Sequence, residues 1–103
     1  MNEATRITRS ESGSAGRYEA RVAGREGLGE LTYSRLSPTQ IVAAHTGVDD
    51  SLRGTGVGKA LVERLVADAR DEGMTIVPKC SFVRALARRH PEWSDVMVDT
   101  ARP

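Results

Sequence analysis

The stretch Arg53-Gly54-Thr55-Gly56-Val57-Gly58 most constrains what this chain can fold into. It follows a β-like run and leads directly into the longest helical pattern of the sequence. Three of its last five residues are glycine; without Cβ atoms there, the backbone can curl and turn successive N–H groups to one side. The first turn of the following helix adds N–H donors that lack intrahelical partners, together with the positive end of the helix dipole. A strand, a glycine loop and a helix in immediate succession make an anion cradle suited to a phosphate or pyrophosphate. Arg53 stands at its mouth as a fixed positive charge.

Spacing narrows the choice of cradle. A dinucleotide-binding fingerprint starting at Gly54 needs a third glycine at position 59, where Lys59 stands. A P-loop ending in Gly58-Lys59 needs glycine at position 53 and a hydroxyl at position 60, and the chain has Arg53 and Ala60. The pattern Arg-x-x-Gly-x-Gly fits as it stands, on Arg53, Gly56 and Gly58. A plain glycine-rich turn is the simpler alternative, and the flanking segments decide between them.

Before the loop, the residues alternate. A short strand is expected around Thr5–Ser10, then a turn or flexible loop over Ser12-Gly13-Ser14-Ala15-Gly16. From Arg17 to Ala23, Tyr18, Ala20 and Val22 fall on one face and Arg17, Glu19 and Arg21 on the other, the period of a half-buried strand. Gly24-Arg25-Glu26-Gly27 reads as a hairpin connection, Leu28–Leu36 as the next strand and Gln40–Val48 as a central one. The opening half is therefore an antiparallel meander of three or four strands.

After the loop the period changes. Val57, Leu61, Leu65 and Ala69 recur every four residues, widened by Val62 and Val66, and Gly73 is placed to end the helix. Met74–Val77 is a short strand closed by Pro78, and a strand–helix–strand order favours parallel pairing. Ser81 is read as the N-cap of a second helix that runs to Arg88-Arg89-His90 and stops at Pro91. Val96-Met97-Val98 reads as a last strand or strap, and Tyr18 and Trp93 as packing residues.

With 103 residues, the chain has room for one domain, spanning 1–103, and one core. Aromatic residues make up only 4%, so aliphatic side chains must fill that core. Fifteen basic residues against 14 acidic ones, a net charge of +1, give no field for nucleic acid. The lone cysteine rules out an internal disulfide and suits a reducing cytoplasm. No apolar run approaches the ~18 residues of a membrane span, so no membrane partner is expected. The two histidines and one cysteine sit at no ligand spacing that would suggest a metal.

The order meander, glycine loop, helix, strand, helix resembles the core of the GNAT (Gcn5-related) acetyltransferases, an α/β (α+β) fold, without the helices usually found between its first two strands. His45-Thr46-Gly47-Val48, the loop Leu52–Gly58, Val77-Pro78-Lys79-Cys80-Ser81-Phe82-Val83 and Arg89-His90-Pro91-Glu92-Trp93 look like successive motifs of the short branch of that family. The resemblance implies an enzyme that takes an acetyl group from acetyl-coenzyme A, a donor substrate, and transfers it to an amine of unidentified identity. It implies that Thr46, Gly47 and Val48 pair with the pantetheine arm. It also implies that Arg53, Gly54, Thr55, Gly56, Val57 and Gly58 hold the pyrophosphate, and that Ser81 and Phe82 flank the thiol end. A monomer or weak homodimer is expected.

The candidate catalytic groups are Cys80 and His45. Cys80 lies between a strand end and a helix N-terminus, a position that favours thiolate; it is either a nucleophile, a leaving-group acid or a small packing residue. His45 is either a general base or a hydrogen-bonded strand histidine. Family members often carry glutamate on this strand, where this chain has Gly47. That departure opens the rival reading of an acyl-coenzyme A binding module or sensor with little turnover.

Overall fold

A computed structural model describes residues 4–98; residues 1–3 and 99–103 of the expected domain lie outside the described residues. Five strands form one sheet in sequence order: β1 Thr5–Ser12, β2 Ala15–Val22, β3 Gly29–Ser37, β4 Gln40–Val48 and β5 Thr75–Pro78. The first four pair antiparallel as a meander, and β5 pairs parallel to β4 after the crossover helix α1, Val57–Glu72. A second helix, α2, spans Ser81–Arg89.

Alternation places Tyr18, Ala20, Leu31, Tyr33, Ile41 and Ile76 on one sheet face, all buried. The apolar stripe of α1, with Leu61, Val62, Leu65 and Val66 buried, covers that face. Gly73 ends α1 in the left-handed conformation at φ 68°, its N–H donating to Ala69 O, as its position in the sequence predicts. The C-terminal segment is a strap: Met97 makes a single parallel bridge to Ile76. Trp93 and Tyr18 are buried, as expected of packing residues.

Two expectations need correction. The turn or loop expected over Ser12-Gly13-Ser14-Ala15-Gly16 is a turn shorter than that stretch: Ser12 pairs with Ala15, and Gly13-Ser14 alone make it. Gly16 belongs to β2, paired with Glu11 and Tyr33, and the Tyr33 ring occupies the space that a Cβ there would need. Ser81 is not an N-cap: Cys80 occupies that position with extended backbone, and Ser81 is the first helical residue. The Cys80 N–H is bound to Ala43 O at 2.9 Å, which keeps Cys80 in sheet-like geometry and delays the helix by one residue.

Polar bonds tie the sheet to α1 at the far end. Arg9 on β1 donates to Tyr33 Oη at 2.9 Å and to Glu72 at 2.5 Å, while Tyr18 Oη donates to Asp68 at 2.7 Å. Tyr18→Phe keeps the ring and loses only that bond. Asp68 retains Arg64 and Arg9, so the expected loss of unfolding free energy is about 1 kcal/mol, read from denaturant midpoints at constant slope.

Candidate active site

The strands β4 and β5 pair only from Gln40–Ala43 to Thr75–Pro78. Beyond Ala43, β4 runs on to Val48 while the other strand turns away through Lys79 and Cys80 into α2. A gap opens between them. At the same level the β3–β4 register steps from Thr32↔His45 to Tyr33↔Ala43, which leaves Ala44 as a β-bulge.

The bulge reverses the phase of β4. Ile41 and Ala43 face α1 before it; after it Thr46 and Val48 do, because their partners Leu31 and Gly29 lie on that face. His45 and Gly47 consequently face the opposite, uncovered side. The backbone alternates as well. Asp49 N–H donates to Leu28 O, so on the antiparallel pattern Gly47 and His45 bond to β3, whereas the N–H and C=O of Thr46 and Val48 point into the gap.

Cys80 sits across the gap, half-buried, with Sγ 3.5 Å from Thr46 Oγ1. Burial alone would push its thiol up. The Thr46 hydroxyl and the N–H groups of Val83, Phe82 and Thr46 outweigh it and hold the pKa below the ordinary thiol value. The sulfur makes no capping hydrogen bond of regular geometry with α2, so the helix acts through the dipoles of its first N–H groups.

The glycine loop closes one end of this slot. Leu52, buried at the end of a 3-10 turn, anchors it, and both Thr55 N–H and Thr55 Oγ1 bond to Leu52 O, at 3.2 and 2.6 Å. Gly54 and Gly56 both have φ 81°, a region closed to most side chains, and nothing lies within 4 Å of a Cβ built on either. Gly56 is the N-cap of α1 and offers no side-chain cap, so the N–H groups of Val57, Gly58 and Lys59 lack intrahelical partners. Gly58 is required for another reason: a Cβ there would lie 2.8 Å from Phe82 Cζ and 3.6 Å from Val48 Cγ2. Arg53 is exposed, its guanidinium 3.1 Å from the equally exposed Asp50.

The structure thus gathers Thr46, Val48, Gly58, Cys80 and Phe82 around one slot, with Arg53, Gly54, Thr55, Gly56 and Val57 along its rim. Ser81 is exposed on the first turn of α2. His45 is not beside Cys80: it is exposed on the other sheet face, its Nε2 3.2 Å from where a Gly47 Cβ would be. The bulge at Ala44 was not legible, since Ala43-Ala44 carries no turn residue, and the Gly58–Phe82 contact joins segments far apart in sequence. Among the described residues no cluster of His, Cys, Asp and Glu can hold a metal ion, and no helix is long and apolar enough to cross a membrane.

A splayed parallel strand pair, a bulged β4 and a glycine loop opening a helix are the parts that the resemblance to acetyltransferases implies. The family pattern described as GCN5-related N-acetyl-transferase matches residues 17–96, and the chain belongs to that family. Its enzyme class is therefore N-acetyltransfer from an acyl-coenzyme A. The fold is similar, at a TM-score of 0.72, to the solution structure of a GCN5-like N-acetyltransferase candidate from Staphylococcus aureus. The two sequences are 28% identical, over 94% of this chain and 91% of that one. No curated protein matches the sequence.

Proposed function

We propose that this chain is a single-domain transferase that moves the acetyl group of acetyl-coenzyme A to an amine through the gap between β4 and β5. The observation that carries the reading is Cys80 Sγ set 3.5 Å from Thr46 Oγ1, across a gap toward which the backbone groups of β4 that lie outside the β3 ladder point. The pyrophosphate sits on the loop Arg53–Gly58, whose N–H groups and helix dipole favour it. The pantetheine arm pairs with Thr46 and Val48 and runs beside Gly47. Phe82 and Ser81 flank the thiol end.

The chemistry follows from that placement. In this reading the thioester lies between β4 and the start of α2, with Cys80 toward one face of the sheet and His45 toward the other. The amine must lose a proton to attack, and the His45 imidazole accepts it from the uncovered face. As nitrogen bonds to the carbonyl carbon, the oxygen becomes negative and is held by a β4 N–H that gains strength at that moment. The C–S bond then breaks. Cys80 either protonates the departing coenzyme thiolate or has earlier taken the acetyl group itself. No metal takes part in this scheme. A cytoplasmic setting, a monomer or weak homodimer, and the absence of nucleic-acid or membrane partners belong to the same reading.

A second reading, an acyl-coenzyme A binding module with little turnover, is favoured by one feature. Position 47, where the family often has a carboxylate, is glycine. Incubation with acetyl-coenzyme A and pools of amines separates the two: free coenzyme thiol and acetylated amine accumulate only for the enzyme.

Arg53→Ala tests the loop. Its partner Asp50 is exposed, so the resting ion pair is worth little and the arginine is available to phosphate. The variant is expected to lose on the order of 1–3 kcal/mol of coenzyme binding and to bind a phosphate-free pantetheine fragment unchanged. Equal losses on both ligands in calorimetry would remove Arg53 from the phosphate site.

A further inference from the structure

On the side of α2 opposite Phe82 lies a separate cleft of 310 Å³, floored by Pro78, Trp93 and Met97 and flanked by Arg84 and Arg88. Its size falls within the range of small-molecule sites. None of these residues takes part in the site described above. The guanidinium of Arg84 is held in place by the backbone: Nε donates to Pro78 O at 3.3 Å and Nη2 to Lys79 O at 2.9 Å. Arg88 follows one helical turn later, on the same face, and among the described residues makes no hydrogen bond or ion pair. Two like charges one turn apart repel, and an anion between them relieves that repulsion.

The rest of the lining is largely apolar, with His90 and Ser94 as its polar members. The Trp93 ring stacks on His90, with centroids 4.2 Å apart and planes 14° from parallel. Glu92, the carboxylate next in sequence to Trp93, is engaged with His90 Nδ1 at 2.8 Å and does not neutralise the arginines. The cleft therefore offers a planar cationic fork on one side and an aromatic and aliphatic floor on the other.

We infer that this cleft binds a small organic acid, its carboxylate on Arg84 and Arg88 and its apolar body on Trp93, Met97 and Pro78. Guanidinium groups match carboxylate geometry better than any other side chain. Occupancy can be read directly, because Trp93 is the chain's only tryptophan.

The test is a fluorescence titration of the full chain with 4-phenylbutyrate, beside 4-phenylbutylamine and 4-phenylbutanol. A saturable change in Trp93 emission is expected for the acid, with half-saturation below about 10 mM, and at least about tenfold weaker binding by the amine and the alcohol. Arg88→Gln, an exposed substitution, should weaken the acid about tenfold or more and leave the alcohol unchanged. Coenzyme affinity should stay the same in that variant, which separates this cleft from the acyl-donor site. No saturable change with the acid, or equal binding of acid and amine, overturns the assignment. So does phenyl phosphate binding with the Arg88 dependence while the carboxylate shows none, since the site would then take a phosphate.

Discussion

Gly56→Val is expected to abolish coenzyme A binding while leaving the chain folded. Gly56 holds φ 81° and ψ 12°, and a branched side chain in that region costs about 1–3 kcal/mol of backbone strain. The loop escapes the strain by rotating out of the left-handed region, and the N–H groups opening α1 then no longer converge on one point. The valine side chain also projects into the space on the outer side of the loop, where no atom of the protein lies within 4 Å of the Cβ position. That empty side is where a pyrophosphate would rest. Affinity should fall by at least about 100-fold. Gly13→Val is the matching control: Gly13 has φ 60° and equally open surroundings, but lies in the β1–β2 turn. It should lower stability and leave affinity untouched. Calorimetry finding wild-type affinity in folded Gly56→Val would sink the pyrophosphate assignment.

The parts of the fold that could be read from the sequence are those with local physical causes. The limits of β4, Gln40–Val48, follow from an apolar run bounded by turn residues, and the end of α1 from a glycine just past a four-residue repeat. The full length of β1 was not legible. Its sequence is polar and its residues are exposed or half-buried, so no alternation extends the strand past Ser10, and only its pairing with β2 carries it to Ser12. The N-cap of α2 was misplaced for a related reason. Ser81 has the better capping side chain, but a tertiary bond from Cys80 N–H to Ala43 O decides where the helix starts.

The candidate site divides along the same line. The glycine loop was legible because a left-handed backbone demands glycine at Gly54 and Gly56. The partner of Cys80 was not, since Thr46 lies 34 residues away and faces the thiol only because the Ala44 bulge turns it. Without that bulge, Thr46 would face the uncovered side and His45 the thiol. The separation of the two catalytic candidates onto opposite faces is thus a consequence of one inserted residue.

Cys80 carries the other large expected effect. Cys80→Ala should lower acetyl transfer by on the order of 10²-fold or more, because both roles proposed for it act at the thioester. Cys80→Ser separates those roles. If the thiolate takes the acetyl group, acetyl-coenzyme A without acceptor should leave a thioester on Cys80, visible as one acetyl increment in intact mass. Serine, far less nucleophilic, should then lose both the increment and nearly all transfer. If Cys80 instead protonates the coenzyme thiolate, no increment should form, and serine should retain partial activity. The pH dependence has a definite sign. The Thr46 hydroxyl and nearby N–H groups favour thiolate and lower the pKa, so self-acylation should rise with pH, level off once that lowered pKa is passed, and do so below the range of an ordinary thiol. Thr46→Val keeps the shape of residue 46 and removes the hydroxyl 3.5 Å from Sγ. The thiol pKa should then move back up, and the rise in rate should shift to higher pH with the plateau rate little changed. Full transfer by Cys80→Ala, together with a wild-type mass lacking the acetyl increment, would take Cys80 out of the mechanism. His45 or an ordered water would then remain as the candidate base.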